Sequence, residues 1–233
     1  PLARADILLI DECHRIGQNV TTEKIATHSA PTKIFGFSAT PKGRSDGSEL
    51  MTEALIGPII HDVQYTTVVD KGFIAPIKVA FLDLPVYPGL TQRYPAIDEY
   101  KLRIAKKRWG YWRNKLRNEL LAAAIKTLPT RFNLGATPQI LVLVETVEHA
   151  FRLKELLPDF ELVYSALSKK LLYRLQSEKI VTPDYKPITN KQRQQLLRRF
   201  EEGSLRKVIA TSCWGEGVDF IHLDVVVNAA GTY

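Results

Sequence analysis

The chain has 233 residues, of which 45% are hydrophobic and 24% charged, with a formal net charge of +7. Such a composition can form real cores, and the length suits a soluble protein with one full domain and part of another. No apolar run approaches the roughly 18 residues that a membrane span needs, no signal-peptide pattern is visible, and Cys13 and Cys213 stand too far apart in sequence to support a zinc knuckle or a disulfide framework, so a reducing, cytoplasmic setting is expected.

In chain order, the aliphatic run DILLID predicts a strand. A helix is expected near Thr22 to His28, then the strand KIFGFSAT and a helix around Glu49 to Ile56. A linker-like stretch from Val69 to Leu90 follows, and the domain boundary is expected near Ile74 to Pro85, where the chain is punctuated by proline. Beyond it come a long basic helix, the strand QILVLV, a helix from Thr146 to Leu157, and the strands ELVY, KVIATS and DVVVNA. Strand and helix alternating in this way indicate an α/β fold of parallel sheets with helices on both faces.

Chemistry concentrates at three strand ends. DECH, from Asp11 to His14, closes the first strand. An aliphatic strand ending in Asp-Glu is how P-loop NTPases present one carboxylate to magnesium and another to water. The metal-holding group must stay ionised and the base must reach the attacking water, so Asp11 takes the magnesium side and Glu12 the base. Read alone, Asp11 and Glu12 are two solvated residues closing a strand. FSATP, from Phe37 to Pro41, ends the next strand, and the hydroxyls of Ser38 and Thr40 can hydrogen-bond to the DECH segment and relay the state of a nucleotide. SAT by itself is a common tripeptide, for which helix capping is the plainer explanation. The third segment is VIATSCWGEGVDF, from Val208 to Phe220. Thr211 lies at its strand end, where a hydroxyl and a backbone N–H can hold a nucleic-acid phosphate. Gly215 and Gly217 permit close backbone approach, and Asp219 can accept a hydrogen bond from a ribose hydroxyl, against the plainer reading of a glycine turn closed by Asp219. Cys13 and His14 as a metal pair would be poorly placed for tetrahedral geometry.

In this order the three segments resemble motifs II, III and V of the superfamily 2 helicases and translocases, most closely the group of UvsW, XPB and RadD. The segments IGPIIHDV and KGFIAPIKV, the pair Arg117 and Asn118, and ILVLVETVEHA agree with that family as well. The resemblance implies two RecA-like parallel-sheet domains of a P-loop NTPase helicase core, with the first only partly present. Residues 1–75 would be the C-terminal part of the first RecA-like domain, 76–95 a linker, and 96–233 the second domain, stopping before motif VI. It further implies ATP and Mg2+ as cofactors, with His14, Ser38 and Thr40 coupling the ATP site to strand movement, Gly217 and Asp219 at the nucleotide, and Thr211 on nucleic acid. The sequence contains no G-x-x-x-x-G-K-[ST] and ends at VVVNAAGTY, where the family continues into its arginine-bearing motif. It is therefore read as an internal fragment whose hydrolysis of ATP alone is expected to be negligible.

Two stretches are strongly basic. Lys101 to Arg117 holds eight Lys or Arg residues and no Asp or Glu, interleaved with Trp109, Tyr111 and Trp112. Lys106, Lys107 and Arg108 are the candidates for phosphate contact. Leu102, Ala105, Trp109, Trp112, Leu116 and Leu120 recur at steps of three and four, so both tryptophans are expected in the buried stripe of one helix, with Gly110 marking a bend. From Lys169 to Arg199 nine basic residues stand against Glu178 and Asp184, and Ile180 to Asn190 is expected to separate two helices whose basic faces are solvated.

The function implied is an ATP-dependent DNA helicase that unwinds or remodels duplex or branched DNA as a monomeric motor, with DNA favoured over RNA as the partner. A duplex translocase that does not separate strands, and a non-catalytic nucleic-acid-binding remnant, are the alternatives.

Overall fold

Two four-residue strands, the aliphatic β1 (Ile7–Ile10) and β2 (Lys33–Gly36), pair in parallel, with Ile7 opposite Lys33 and Ile10 opposite Gly36. This computed structural model describes residues 6–18, 24–25, 27–28, 31–42, 47–84, 98–214, 218 and 220–230. The chain divides into two units, Pro1–Ala80 and Phe81–Tyr233.

In the first unit, side chains alternate across the sheet as a strand requires. Ile10, with Cys13 and Ile16 from the 3-10 segment Cys13–Gln18, forms the core, and Leu8, Ile34, Leu55 and Ile56 pack around it. The opposite face carries Ile7, 56% exposed, and Leu9, 64% exposed, beside the exposed Phe35 and Phe37. A strand apolar on both faces is the pattern of two-sided burial, and among the described residues only one face is covered. Helix α1 (Ser48–Ile56) supplies Leu55 and Ile56 and ends at Gly57, whose φ of 106° suits glycine. Helix α2 (Tyr65–Asp70) falls partly within the stretch expected as linker. Its Tyr65 hydroxyl accepts from the Ile77 amide at 2.8 Å and so anchors the extended chain that follows. Of the helix expected near Thr22 to His28, residues 24–25 and 27–28 are described, and they are helical.

The second unit is built on four parallel strands in the order β4-β5-β3-β6: β3 (Ile140–Leu143), β4 (Glu161–Val163), β5 (Lys207–Ala210) and β6 (Val225–Asn228). Ile140 lies opposite both Lys207 and Val225, which fixes the register of the sheet about β3. The core holds Val142, Val144, Phe151, Leu153, Leu162, Tyr164 and Ile209 among others on one side, and Leu141, Val163, Phe200, Val208 and Trp214 on the other. Buried apolar side chains of this number, at ~25 cal/mol per Å² of apolar surface removed from water, outweigh any single polar contact described below.

The helices begin where the sequence provides caps. These are α3 (Glu99–Lys107), α4 (Lys115–Arg131), α5 (Val147–Leu156), α6 (Lys169–Ser177) and α7 (Asn190–Glu201). Asp98, Asn114, Thr146, Ser168 and Thr189 each accept from a backbone amide of the first turn, and Thr189 with Gln192 completes a capping box. Residues between α6 and α7 separate two helices, and Ile180, Val181, Tyr185 and Ile188 among them pack on the core, with the Tyr164 hydroxyl 2.9 Å from that of Tyr185. Buried Gln139 donates to the carbonyls of Phe200 at 2.6 Å and Leu205 at 3.1 Å, fastening the end of α7 to the start of β3.

The single long basic helix expected from Lys101 onward is interrupted. Arg108–Trp112 forms a π-helical turn, and α4 starts afresh after the Asn114 cap. The break resets the helical phase, so the predicted stripe does not persist. Trp112 is buried at 8% exposure, while Trp109 is 42%, Leu116 56% and Leu120 42% exposed. In α4 the buried face is instead Arg117, Asn118, Leu121, Ala122 and Ile125.

Candidate functional site

In the first unit the two parallel strands bring DECH and FSATP side by side. The Phe37 amide donates to the Ile10 carbonyl at 2.8 Å and the Cys13 amide to the Phe37 carbonyl at 3.0 Å, so the backbone ladder continues past both strand ends. Asp11 and Glu12 are exposed at the turn, and the Glu12 amide donates to Asp11 Oδ1 at 2.8 Å. Glu12 has φ of 48°, in the left-handed region that non-glycine residues rarely enter. That turn drives Cys13 into the core and leaves both carboxylates in solvent. His14 Nδ1 lies 2.8 Å from Ser38 Oγ and 3.2 Å from Glu12 Oε2, and the Thr40 amide donates to the same Ser38 oxygen at 3.1 Å. In the tautomer with the proton on Nδ1, the ring donates toward both oxygens. Glu12, His14, Ser38 and Thr40 are thus one connected polar chain.

Gly36, which the motif reading passed over, and Cys13 hold this arrangement. Gly36 leaves room for the Cys13 side chain: a Cβ at that position would stand 2.8 Å from Cys13 Sγ and 2.8 Å from Ile56 Cδ1. Cys13 is buried, and burial pushes its thiol pKa up, with Glu12 and Asp11 adding to the rise. A thiol held protonated is a core side chain and a poor metal ligand. Among the described residues no group of three or more His, Cys, Asp or Glu could enclose a metal ion.

In the second unit Thr211 follows β5 and is buried. Its amide donates to the Val163 carbonyl at 3.1 Å and its hydroxyl lies 3.4 Å from Cys213 Sγ. The expectation that this amide is free for a phosphate is corrected, because it completes the sheet. Gly215, Gly217 and Asp219 lie outside the described residues. Trp214, to which the sequence assigned no role, is a core residue with ring centroids 5.3 Å from Phe200 and 5.5 Å from Phe220.

The three basic candidates differ from one another. Lys107 Nζ lies 2.6 Å from Glu145 Oε1, an ion pair that ties the end of α3 to the segment before α5. Lys106 and Arg108 are half-buried, and Arg108 Nε is buried without a hydrogen-bond partner among the described residues. Beside them Glu148, with 7% of its side chain exposed, meets Arg113 at 2.5 Å, Arg152 at 3.3 Å and Arg174 at 3.5 Å, while Glu178 pairs with Arg152 and, at 3.5 Å, with Arg113. A carboxylate so buried is tolerable only with cations around it. Next to it His149 is fully enclosed, with Nε2 3.1 Å from Asn118 Oδ1. Burial, and then Arg117 and Arg152, lower its pKa from 6.5 to about 3. The ring is neutral and structural.

Two family models match the chain, the Type III restriction enzyme res subunit over residues 2–43 and the Helicase conserved C-terminal domain over residues 119–232. One match falls in each unit, and together they support a superfamily 2 helicase fragment. It is 25% identical over 238 residues to DNA 3'-5' translocase XPB2 of Sulfurisphaera tokodaii, a match spanning 97% of this chain and 52% of that protein. A helicase-named protein of Sulfolobus islandicus filamentous virus is 26% identical over 230 residues, spanning 97% of this chain and 37% of its own length. The chain therefore covers about half, or less, of these relatives. Among solved structures the Pyrococcus furiosus Hef helicase domain is similar at a TM-score of 0.46 and 13% identity, over 96% of this chain and 65% of that one.

Proposed function

We propose that the intact protein is an ATP-dependent DNA helicase or translocase that couples hydrolysis to the remodelling of duplex or branched DNA. In this reading the first unit belongs to the first RecA-like domain and the second unit is the second. The observation that carries it is the His14 bridge, which links the carboxylate proposed as the base, Glu12, to the SAT segment. The name of the Sulfurisphaera relative supports DNA as the partner.

Magnesium commonly keeps several waters and takes one or two protein carboxylates together with substrate phosphates. An exposed Asp11 at a strand end suits that donor set, and Asp11 is proposed to hold it. Bound Mg2+ and ATP supply the phosphoryl group and the neutralisation of its charge. Glu12 orients the water and accepts its proton. His14, sharing its Nδ1 proton between Glu12 and Ser38, carries any change at Glu12 to Ser38 and so to the Thr40 backbone. Gly217 and Asp219 are assigned to the nucleotide, and the Thr211 hydroxyl to nucleic acid.

DNA-stimulated ATP hydrolysis by the full-length protein tests the proposal. Glu12→Gln keeps shape and removes the base, so turnover should fall by about 100-fold or more with ATP binding retained. Turnover within a few-fold of the unaltered protein would remove Glu12 from the role. A second reading, translocation on duplex without strand separation, is favoured by the match to a restriction-enzyme subunit and by the relative's name. Triplex displacement without unwinding is its expected signature, whereas displacement of a paired strand supports the helicase.

A further inference from the structure

The π-helical turn at Arg108–Trp112 turns Trp112 into the core and leaves Trp109 42% exposed. Turns of this kind cluster at functional sites. Trp109 lines a shallow groove with Tyr100, Lys101, Ile104, Ala105 and Arg108. Tyr100, at the N-terminal end of the groove, is 62% exposed. Arg113 lies over the Trp109 ring at 5.1 Å and Arg103 over the Tyr100 ring at 5.7 Å, each fixing an aromatic plane by a cation. The stretch from Tyr100 to Arg117 contains no acidic residue. Arg108 lines the groove with a buried Nε that has no partner among the described residues, a donor whose isolation is costly unless a ligand completes it.

We propose that this groove seats unpaired nucleic acid, with Trp109 and Tyr100 stacking on bases and Lys101 and Arg108 meeting phosphates. It rests on the nucleic-acid reading above and adds to it which form of the polymer is held, and where. The charge of the face specifies an anionic polymer. The aromatics specify an unpaired one, because a duplex offers its base edges in the grooves but keeps the ring faces stacked on one another, whereas a single strand presents them. The ion pairs of Lys107 with Glu145 and of Arg113 with Glu148 hold the groove to the body of the second unit.

The test is binding by fluorescence anisotropy, without nucleotide, of the full-length protein to labelled oligo-dT, to a matching oligonucleotide of abasic sites, and to duplex. Trp109→Ala should weaken oligo-dT binding by about five- to 150-fold, the range expected for one stacked base. Trp109→Phe should recover most of it. Abasic binding should be insensitive to both changes, and Lys101→Gln should flatten the salt dependence where Trp109→Ala does not. If Trp109→Ala lowers the melting temperature, Tyr100→Ala decides, since that side chain is largely in solvent. Equal affinity for oligo-dT and its abasic counterpart, or unchanged affinity in the alanine variants, overturns the proposal. Because binding is read without ATP, a protein that binds in this pattern but never hydrolyses ATP would refute the motor reading alone, whereas DNA-stimulated turnover with indifferent aromatic variants would refute the groove alone.

Discussion

His14 stands between two chain segments that the pairing of β1 with β2 brings together, with its Nδ1 2.8 Å from Ser38 Oγ and 3.2 Å from Glu12 Oε2. Side chains in one hydrogen-bond chain are energetically coupled, by about 0.5–3 kcal/mol in double-mutant cycles. His14→Ala and Ser38→Ala should therefore be non-additive for DNA-stimulated hydrolysis, and each should lower strand displacement per ATP consumed more than it lowers hydrolysis itself. Measuring both rates in the two single variants and the double variant checks this. Strict additivity would mean that the bridge is not used in the cycle.

Gly36 predicts a stability effect with no direct chemistry. A methyl group there meets Cys13 Sγ and Ile56 Cδ1 at 2.8 Å, and overpacking a core of this kind costs typically about 1–3 kcal/mol. Gly36→Ala should lower the denaturation midpoint of the first unit. Adding Cys13→Ala should restore part of the loss, which thermal melts of the two variants will show.

Much of this was legible in the sequence because it rests on local rules. The expected strand segments became parallel strands, and the helix expected to start at Thr146 does start there, capped by that side chain. The juxtaposition of DECH with FSATP followed from consecutive strands lying together. What periodicity could not show was the break at Arg108–Trp112. Steps of three and four assume an uninterrupted helix, and a π turn alters the phase by an amount that no residue pattern records, so Trp109, Leu116 and Leu120 were placed on the wrong face. Gly110 and the capping residue Asn114 were the signals available. The commitment of the Thr211 amide to Val163 was hidden for another reason: it depends on which strand lies beside β5, a non-local fact.

His149 ties stability to pH. Its folded pKa of about 3 lies below the ordinary 6.5, so between those values the unfolded chain binds the proton that the folded chain refuses. Stability is then greatest above pH 6.5 and falls as the pH drops through that window, by at most about 1.4 kcal/mol per pH unit from this group. His149→Gln should reduce the slope between pH 6.5 and 4 in denaturant titrations, even where it lowers stability at pH 7.5. An unchanged slope would place the acid sensitivity in other groups.

Neighbouring lysines should behave differently although the sequence presents them as one cluster. Lys107 is engaged with Glu145 at 2.6 Å, and with 20% and 34% of the two side chains exposed the pair contributes at most about 1 kcal/mol. Lys106 and Arg108 are the cations of the cluster for which no such pairing is found among the described residues. Each phosphate contact changes the slope of log affinity against log salt by about 0.7 on single strands and 0.9 on duplex. Lys106→Gln with Arg108→Gln should therefore flatten the dependence by about 1.4 to 1.8 if both meet phosphates. Lys107→Gln should leave the slope unchanged and lower the melting temperature slightly. Affinity for oligo-dT and for duplex, measured from 50 to about 200 mM salt, resolves the two behaviours, and a slope that falls in Lys107→Gln as well would show that Lys107 leaves Glu145 to meet the DNA.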